Sequence, residues 1–143
     1  MSDFKGKAGL VTGAAGGIGR AAAIAFGRQG ASVVVADLES SRSEALETVK
    51  LIEHAGGSAT FVAVDVADAK SVESLIEATI GHYGRLDFAH NNAGVLSTGF
   101  TADIEERDFD RILAIDVKGV WLAMKYEILY MKAHSGGTIV NTA

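Results

Sequence analysis

The stretch Thr12-Gly13-Ala14-Ala15-Gly16-Gly17-Ile18-Gly19 constrains this chain more than any other. An apolar run, Ala8 to Val11, leads into it, and Arg20-Ala21-Ala22-Ala23-Ile24-Ala25-Phe26 leads out. That order reads as strand, glycine turn, helix. Glycines let a backbone approach an anion closely, and the free N–H groups and dipole at a helix start favour negative charge. The turn therefore reads as a phosphate cradle made by Gly13, Ala15, Gly16, Gly17, Ile18 and Gly19. Glycines alone would say little, because loops are rich in them. Their place after a strand, at the opening of a helix and inside a βαβ unit gives them meaning.

Strand and helix signals alternate along the rest of the chain. Ala31–Ala36 is a continuous, largely β-branched run suited to a buried parallel strand. Ser43–His54 carries Leu46, Val49 and Ile52 at helical spacing and stops at Gly56-Gly57. Ala59–Val64 is a third strand. Asp68 is placed to cap a helix whose inner face holds Val72, Leu75, Ile76, Thr79, Ile80 and Tyr83, closed by Gly84. Leu86–Asn91 is a fourth strand. Glu105 to Ala133 reads as helical, either one long helix or two meeting near Gly119, with Phe109, Ile112, Leu113, Val117, Val120 and Leu122 as expected core. Thr138–Asn141 is a fifth strand. The pattern predicts an α/β fold of three layers, a parallel sheet of five strands covered on both faces. A length of 143 residues gives one domain, 1–143.

Composition removes several functions. Cysteine is absent, which excludes disulfides, thiolate metal sites and cysteine nucleophiles. The four histidines show no metal-ligand spacing, so no metal site is expected. A net charge of −5 argues against a nucleic-acid partner. No apolar run approaches the ~20 residues that span a bilayer, and Met1–Lys5 lacks a signal-peptide core. A cytoplasmic chain without a membrane partner is expected.

Three further groups fall at strand ends, where ligands of open parallel sheets sit. Asp37, followed by Leu38, ends the second strand, 18 residues past Gly19. A carboxylate there accepts from adenosine ribose hydroxyls and repels a 2′-phosphate, favouring NAD over NADP; its alternative is to cap the next helix. Asp65-Val66 follows the third strand, where the carboxylate either meets an adenine amino group or caps a helix. Asn91-Asn92-Ala93-Gly94 follows the fourth strand. Asn91, Ala93 and Gly94 either fix the loop or hold the cofactor.

Together these residues resemble the short-chain dehydrogenase/reductase family over essentially the whole chain. Thr12–Gly19 matches its TGxxxGIG turn, Asp65-Val66 its adenine pair, and Asn91–Gly94 its NNAG motif. Asp87 fits the aspartate before that motif, and Ile139-Val140-Asn141 resembles its fifth strand. The resemblance implies a Rossmann-type sheet of order 3-2-1-4-5, a nicotinamide cofactor, and hydride transfer with an alcohol or ketone. It places Asp116 where the family has a catalytic asparagine, a carboxylate in place of an amide. The family's catalytic serine would follow Ala143, and no tyrosine here has lysine four residues later. Tyr126 and Tyr130 read as helix packing and His90 as a structural histidine.

The expectation is therefore an NAD-binding core truncated after strand five and inactive alone, without the family's C-terminal catalytic and substrate-binding part. The alternative is a non-catalytic NAD-binding module that self-associates. A nucleotide-sugar epimerase or methyltransferase is a third reading, opposed by the NNAG match. Truncation would bare strand five and leave Trp121, Leu122, Met124 and Ile128 uncovered, predicting self-association through that edge or the long helix.

Overall fold

The computed structural model describes residues 3–143. The strands β1 (Ala8–Thr12), β2 (Ser32–Asp37), β3 (Ser58–Ala63), β4 (Phe88–Asn91) and β5 (Thr138–Asn141) form one sheet in the order β3-β2-β1-β4-β5. Every pairing is parallel, from Val34↔Thr60 at one side to His90↔Val140 at the other. The order, the parallel pairing and the fold class agree with the sequence-based expectation.

The helices are α1 (Gly17–Arg28), α2 (Arg42–His54), α3 (Ala69–Tyr83), α4 (Glu106–Ile112) and α5 (Val120–Ala133). Two cores lie against the two faces of the sheet. Val11, Val33, Val35 and Phe88 pack with Ala23, Ala45 and Ile52 of α1 and α2. Leu10, Val34, Ala36 and Ala89 pack with Leu75, Leu122 and Met131 of α3 and α5. Val33 to Ala36 thus feeds alternate side chains to opposite layers, which explains an unbroken apolar run. At the helix ends, Asp68 Oδ2 accepts from the Ser71 N–H at 2.8 Å, and Gly84 closes α3 with φ of 73°. Both end signals are as expected.

The long helix departs from the expected pattern. It is continuous from α4 to α5, but Leu113–Gly119 between them is π-helical. A π segment bonds i to i+5, so it shifts the phase of everything beyond it. Leu122 is buried as expected, whereas Phe109 (55 % exposed), Leu113 and Val117 (60 % exposed) lie outside the core. An uninterrupted helical period would place all three in the core; Leu113 and Val117 fall within the π segment and Phe109 ahead of it. Leu122 was also expected on the uncovered surface with Trp121 and Ile128. It is core, while Trp121 is 54 % exposed and Ile128 is exposed as well. Tyr126 and Tyr130 pack partly buried against the α3–α5 core, as expected. No helix among the described residues is long and apolar enough to cross a membrane.

Candidate functional site

A cavity of about 470 Å³ opens at the C-terminal ends of β1, β2 and β3 and under the start of the β4–α4 loop. Its lining gathers Gly13, Ala15, Gly16, Asp37, Leu38, Asp65, Val66, Ala93 and Gly94. Nine sequence-assigned positions from four separate segments thus share one wall.

The turn from β1 to α1 is built for close approach. Gly13 has φ of 65°, and a Cβ there would lie 2.9 Å from Cα of Ala93. A Cβ on Gly19 would collide with the carbonyl oxygen of Gly13. Gly16 differs: it is extended, and a Cβ there would meet no atom within 4 Å. The fold's own packing does not demand glycine at that position. As the α1 N-cap, Gly16 offers no capping side chain, and no acidic residue occupies the helix's first turn. Among the described residues, no capping side chain or first-turn carboxylate meets the first N–H groups of α1. Gly17, Ile18 and Gly19 open that helix beside the cavity without lining it, and Ile18 is 67 % exposed.

Asp37 is held at the cavity rim by two backbone donors. The Ala15 N–H donates to Oδ2 at 2.9 Å and the Leu38 N–H to Oδ1 at 2.8 Å. Each oxygen keeps further lone pairs for a ligand hydroxyl. Asp37 does not cap the following turn, whose N-cap is Leu38. The nearby cation, Arg20, is occupied: it donates to the carbonyls of Ala15 (2.6 Å) and Glu44 (2.9 Å) and to Thr48 Oγ1 (2.9 Å). Asp65 is not the cap of α3 either, since Asp68 fills that role; Asp65 Oδ1 accepts from the Ala67 N–H at 2.9 Å.

The loop after β4 is fixed from both sides. Thr12 Oγ1, nearly buried, accepts from the N–H groups of Asn92 and Ala93, both at 3.0 Å. Asp116 Oδ1 accepts from the Val95 N–H at 2.9 Å. Asp116 lies in the π segment next to Ile115, which lines the cavity where Asp116 does not. A carboxylate thus performs the accepting half of what an amide would do here and has no donating half. Asn91 faces away from the cavity. Its amide nitrogen donates to Glu127 Oε2 and Asn141 Oδ1, each at 3.0 Å. His90 is buried on the other face, its Nε2 2.9 Å from Thr142 Oγ1, and burial holds its ring below the usual histidine range. No cluster of three metal-ligating side chains occurs among the described residues.

The sequence places Thr12 in the glycine turn without revealing that it holds the loop after β4, and it does not mark Arg20, Thr48 or Arg111 as parts of this site. Thr12, Arg20 and Thr48 hold the turn and loop through contacts between distant segments, which no local pattern reveals. Arg111 reaches the cavity from α4, and no local pattern marks it for that place.

The family model described as short chain dehydrogenase matches residues 7–143. An uncharacterized oxidoreductase of Thermotoga maritima is 42% identical over 141 residues, 99% of this chain and 55% of its own. Versicolorin reductase 1 of Aspergillus parasiticus is 36% identical over 146 residues, covering 100% of this chain and 55% of its own. A short-chain dehydrogenase/reductase structure from Mycobacterium marinum superposes with a TM-score of 0.94 at 34% identity, over 99% of this chain and 57% of that one. The chain thus spans about half the length of the relatives it matches.

Proposed function

This chain belongs to the short-chain dehydrogenase family, and from that membership we propose that the cavity at the β1–α1 turn binds a nicotinamide dinucleotide, with NAD preferred over NADP. The observation that carries the reading is Gly16. No described residue occupies the space a side chain would take there, so a glycine at this position would leave room for an approaching ligand. The N–H groups opening α1 would hold the pyrophosphate. Asp37 would accept from the adenosine ribose hydroxyls, and Asp65 and Val66 would border the adenine. NAD is favoured because the Asp37 carboxylate would accept from the ribose hydroxyls and repel a 2′-phosphate, and Arg20, beside it, already donates to protein carbonyls.

A bound nicotinamide supplies the hydride acceptor or donor. The residues described here bind and orient; Thr12 and Asp116 keep the roofing loop in place. The activity proposed for the whole protein is hydride transfer between the cofactor and an alcohol or ketone. Among the described residues, no histidine, tyrosine or lysine lines the cavity, the groups best suited to exchange a proton with a substrate oxygen near neutral pH. We therefore read these 143 residues alone as a binding unit without turnover. The exposed row Phe109, Leu113, Val117 and Trp121 on the long helix supports pairing with a second copy.

Calorimetric titration with NADH and NADPH tests the cofactor assignment. NADH is expected to bind at least tenfold more tightly, and Asp37→Asn to narrow that ratio. NADPH binding as tightly as NADH would overturn the preference.

A further inference from the structure

Glu127 is the only acidic side chain among the described residues that is fully buried, at 0 % exposure. It lies on the inner face of α5 with Leu122, Ala123 and Met131, against β4 and β5. Its Oε2 accepts from Nδ2 of Asn91 at 3.0 Å. The second hydrogen of that amide goes to Oδ1 of Asn141, also at 3.0 Å, and Asn141 Nδ2 donates in turn to Sδ of Met124 at 3.3 Å. Two buried side-chain atoms are then left without a partner among the described residues, Glu127 Oε1 and Asn91 Oδ1. They belong to two groups already joined by one hydrogen bond. An ionised Glu127 offers acceptors only, which leaves both atoms orphaned at a cost. One proton on Oε1 gives each of them a partner.

We infer that Glu127 is a neutral carboxylic acid whose Oε1–H donates to Oδ1 of Asn91, closing a two-bond acid–amide ring that positions Asn91 and ties α5 to the ends of β4 and β5. Asn91 directly precedes the loop that Thr12 holds over the cavity, so the ring anchors one end of that wall. The surroundings agree. The hydrophobic core around it brings Tyr83 from α3 and Tyr126 and Tyr130 from α5 as titratable groups, and among the described residues no neighbouring charge acts on the Glu127 carboxyl. His90 of β4 points to the opposite face, β5 contributes no titratable group, and Lys125 lies over the Trp121 and Tyr126 rings. Burial pushes the Glu127 carboxyl up from 4.5 to about 7, against the opposing effect of the Asn91 bond. The inference does not depend on the cofactor assignment.

The sign of the pH effect follows. Between 4.5 and about 7 the folded protein holds a proton that the unfolded chain has released, so stability falls as pH rises through that window and then levels off. His90 acts oppositely: with its ring held below 6.5, stability is gained as pH rises towards 6.5. Comparison with Glu127→Gln cancels the His90 contribution, since both proteins carry it. Glutamine keeps one donor and one acceptor in the same shape and cannot titrate. Relative to E127Q, the wild-type unfolding constant is expected to rise about tenfold per pH unit across the window, about two orders of magnitude in all. In carboxyl 13C NMR of the wild type, one glutamate is expected to remain protonated until near pH 7, and its signal to be missing in E127Q. Glu127→Leu, with no polar group for Asn91, is expected to be less stable than E127Q at every pH. A constant ratio between wild type and E127Q from about pH 5 to 8, or glutamate carboxyls that all titrate near 4.5, overturns the inference. If E127Q does not fold, the wild-type carboxyl titration decides alone.

Discussion

Gly16 and Gly19 lie three positions apart and are glycine for different reasons. Gly19 is required by the fold, because a methyl group there collides with the Gly13 carbonyl. Gly16 is open to solvent and not required by the fold's packing, so in the proposed reading it is glycine for the cofactor's approach. Gly19→Ala is therefore expected to destabilise the protein by about 1–3 kcal/mol. Gly16→Ala is expected to cost under about 1 kcal/mol of stability while weakening NADH binding at least tenfold. Thermal unfolding and cofactor titration of both variants separate the two roles; equal effects on stability would contradict the distinction. The glycines and the strand-end carboxylates were legible in the sequence because each sits at a fixed place in a βαβ unit. The partners of Thr12 and Glu127 were not, because those bonds join residues far apart in the chain. Asn91 shows the limit: its place after β4 could not say whether its side chain meets the cavity or α5, and the structure turns it to α5.

At the level of elements, boundaries marked by chemistry were read well. Asp68 and Gly84 delimit α3 at the residues expected, since an N-cap acceptor and a left-handed closing glycine are local requirements. Asp68→Ala removes the bond to the Ser71 N–H and is expected to cost about 1 kcal/mol, read as a lower midpoint in urea unfolding with unchanged slope. An unchanged midpoint would show that α3 is held by its packed face alone. The long helix was read less well. Its π segment carries no residue that announces it; Leu113 and Val117 lie within that segment and Phe109 ahead of it, and all three are exposed where the sequence pattern places them in the core. The same segment places Asp116 to receive the Val95 N–H, so the irregularity sits beside the candidate site, as π segments often do.

For the whole molecule, the alternating pattern determined the sheet, and the parallel register explains why the cradle, Asp37, Asp65 and the Ala93-Gly94 loop converge at one edge. The pattern could not settle which surfaces would remain open. The row formed by Phe109, Leu113, Val117 and Trp121 gives a direct prediction. Val117→Glu combined with Trp121→Glu is expected to move the protein from a self-associated state to a monomer in sedimentation velocity, with thermal unfolding shifted little because both side chains are exposed. A wild-type protein that stays monomeric at high concentration would contradict pairing through this face.

The most direct test of the central claim is to map NADH onto the protein by 15N NMR. Saturable shifts are expected for the amides of Gly13 to Gly19, Leu38 and Val66, with the residues around Phe26 and Phe88 at the opposite end of β4 unaffected. Shifts confined to that opposite end, or no saturable shifts at all, would contradict the assignment of the β1–α1 turn as the dinucleotide site.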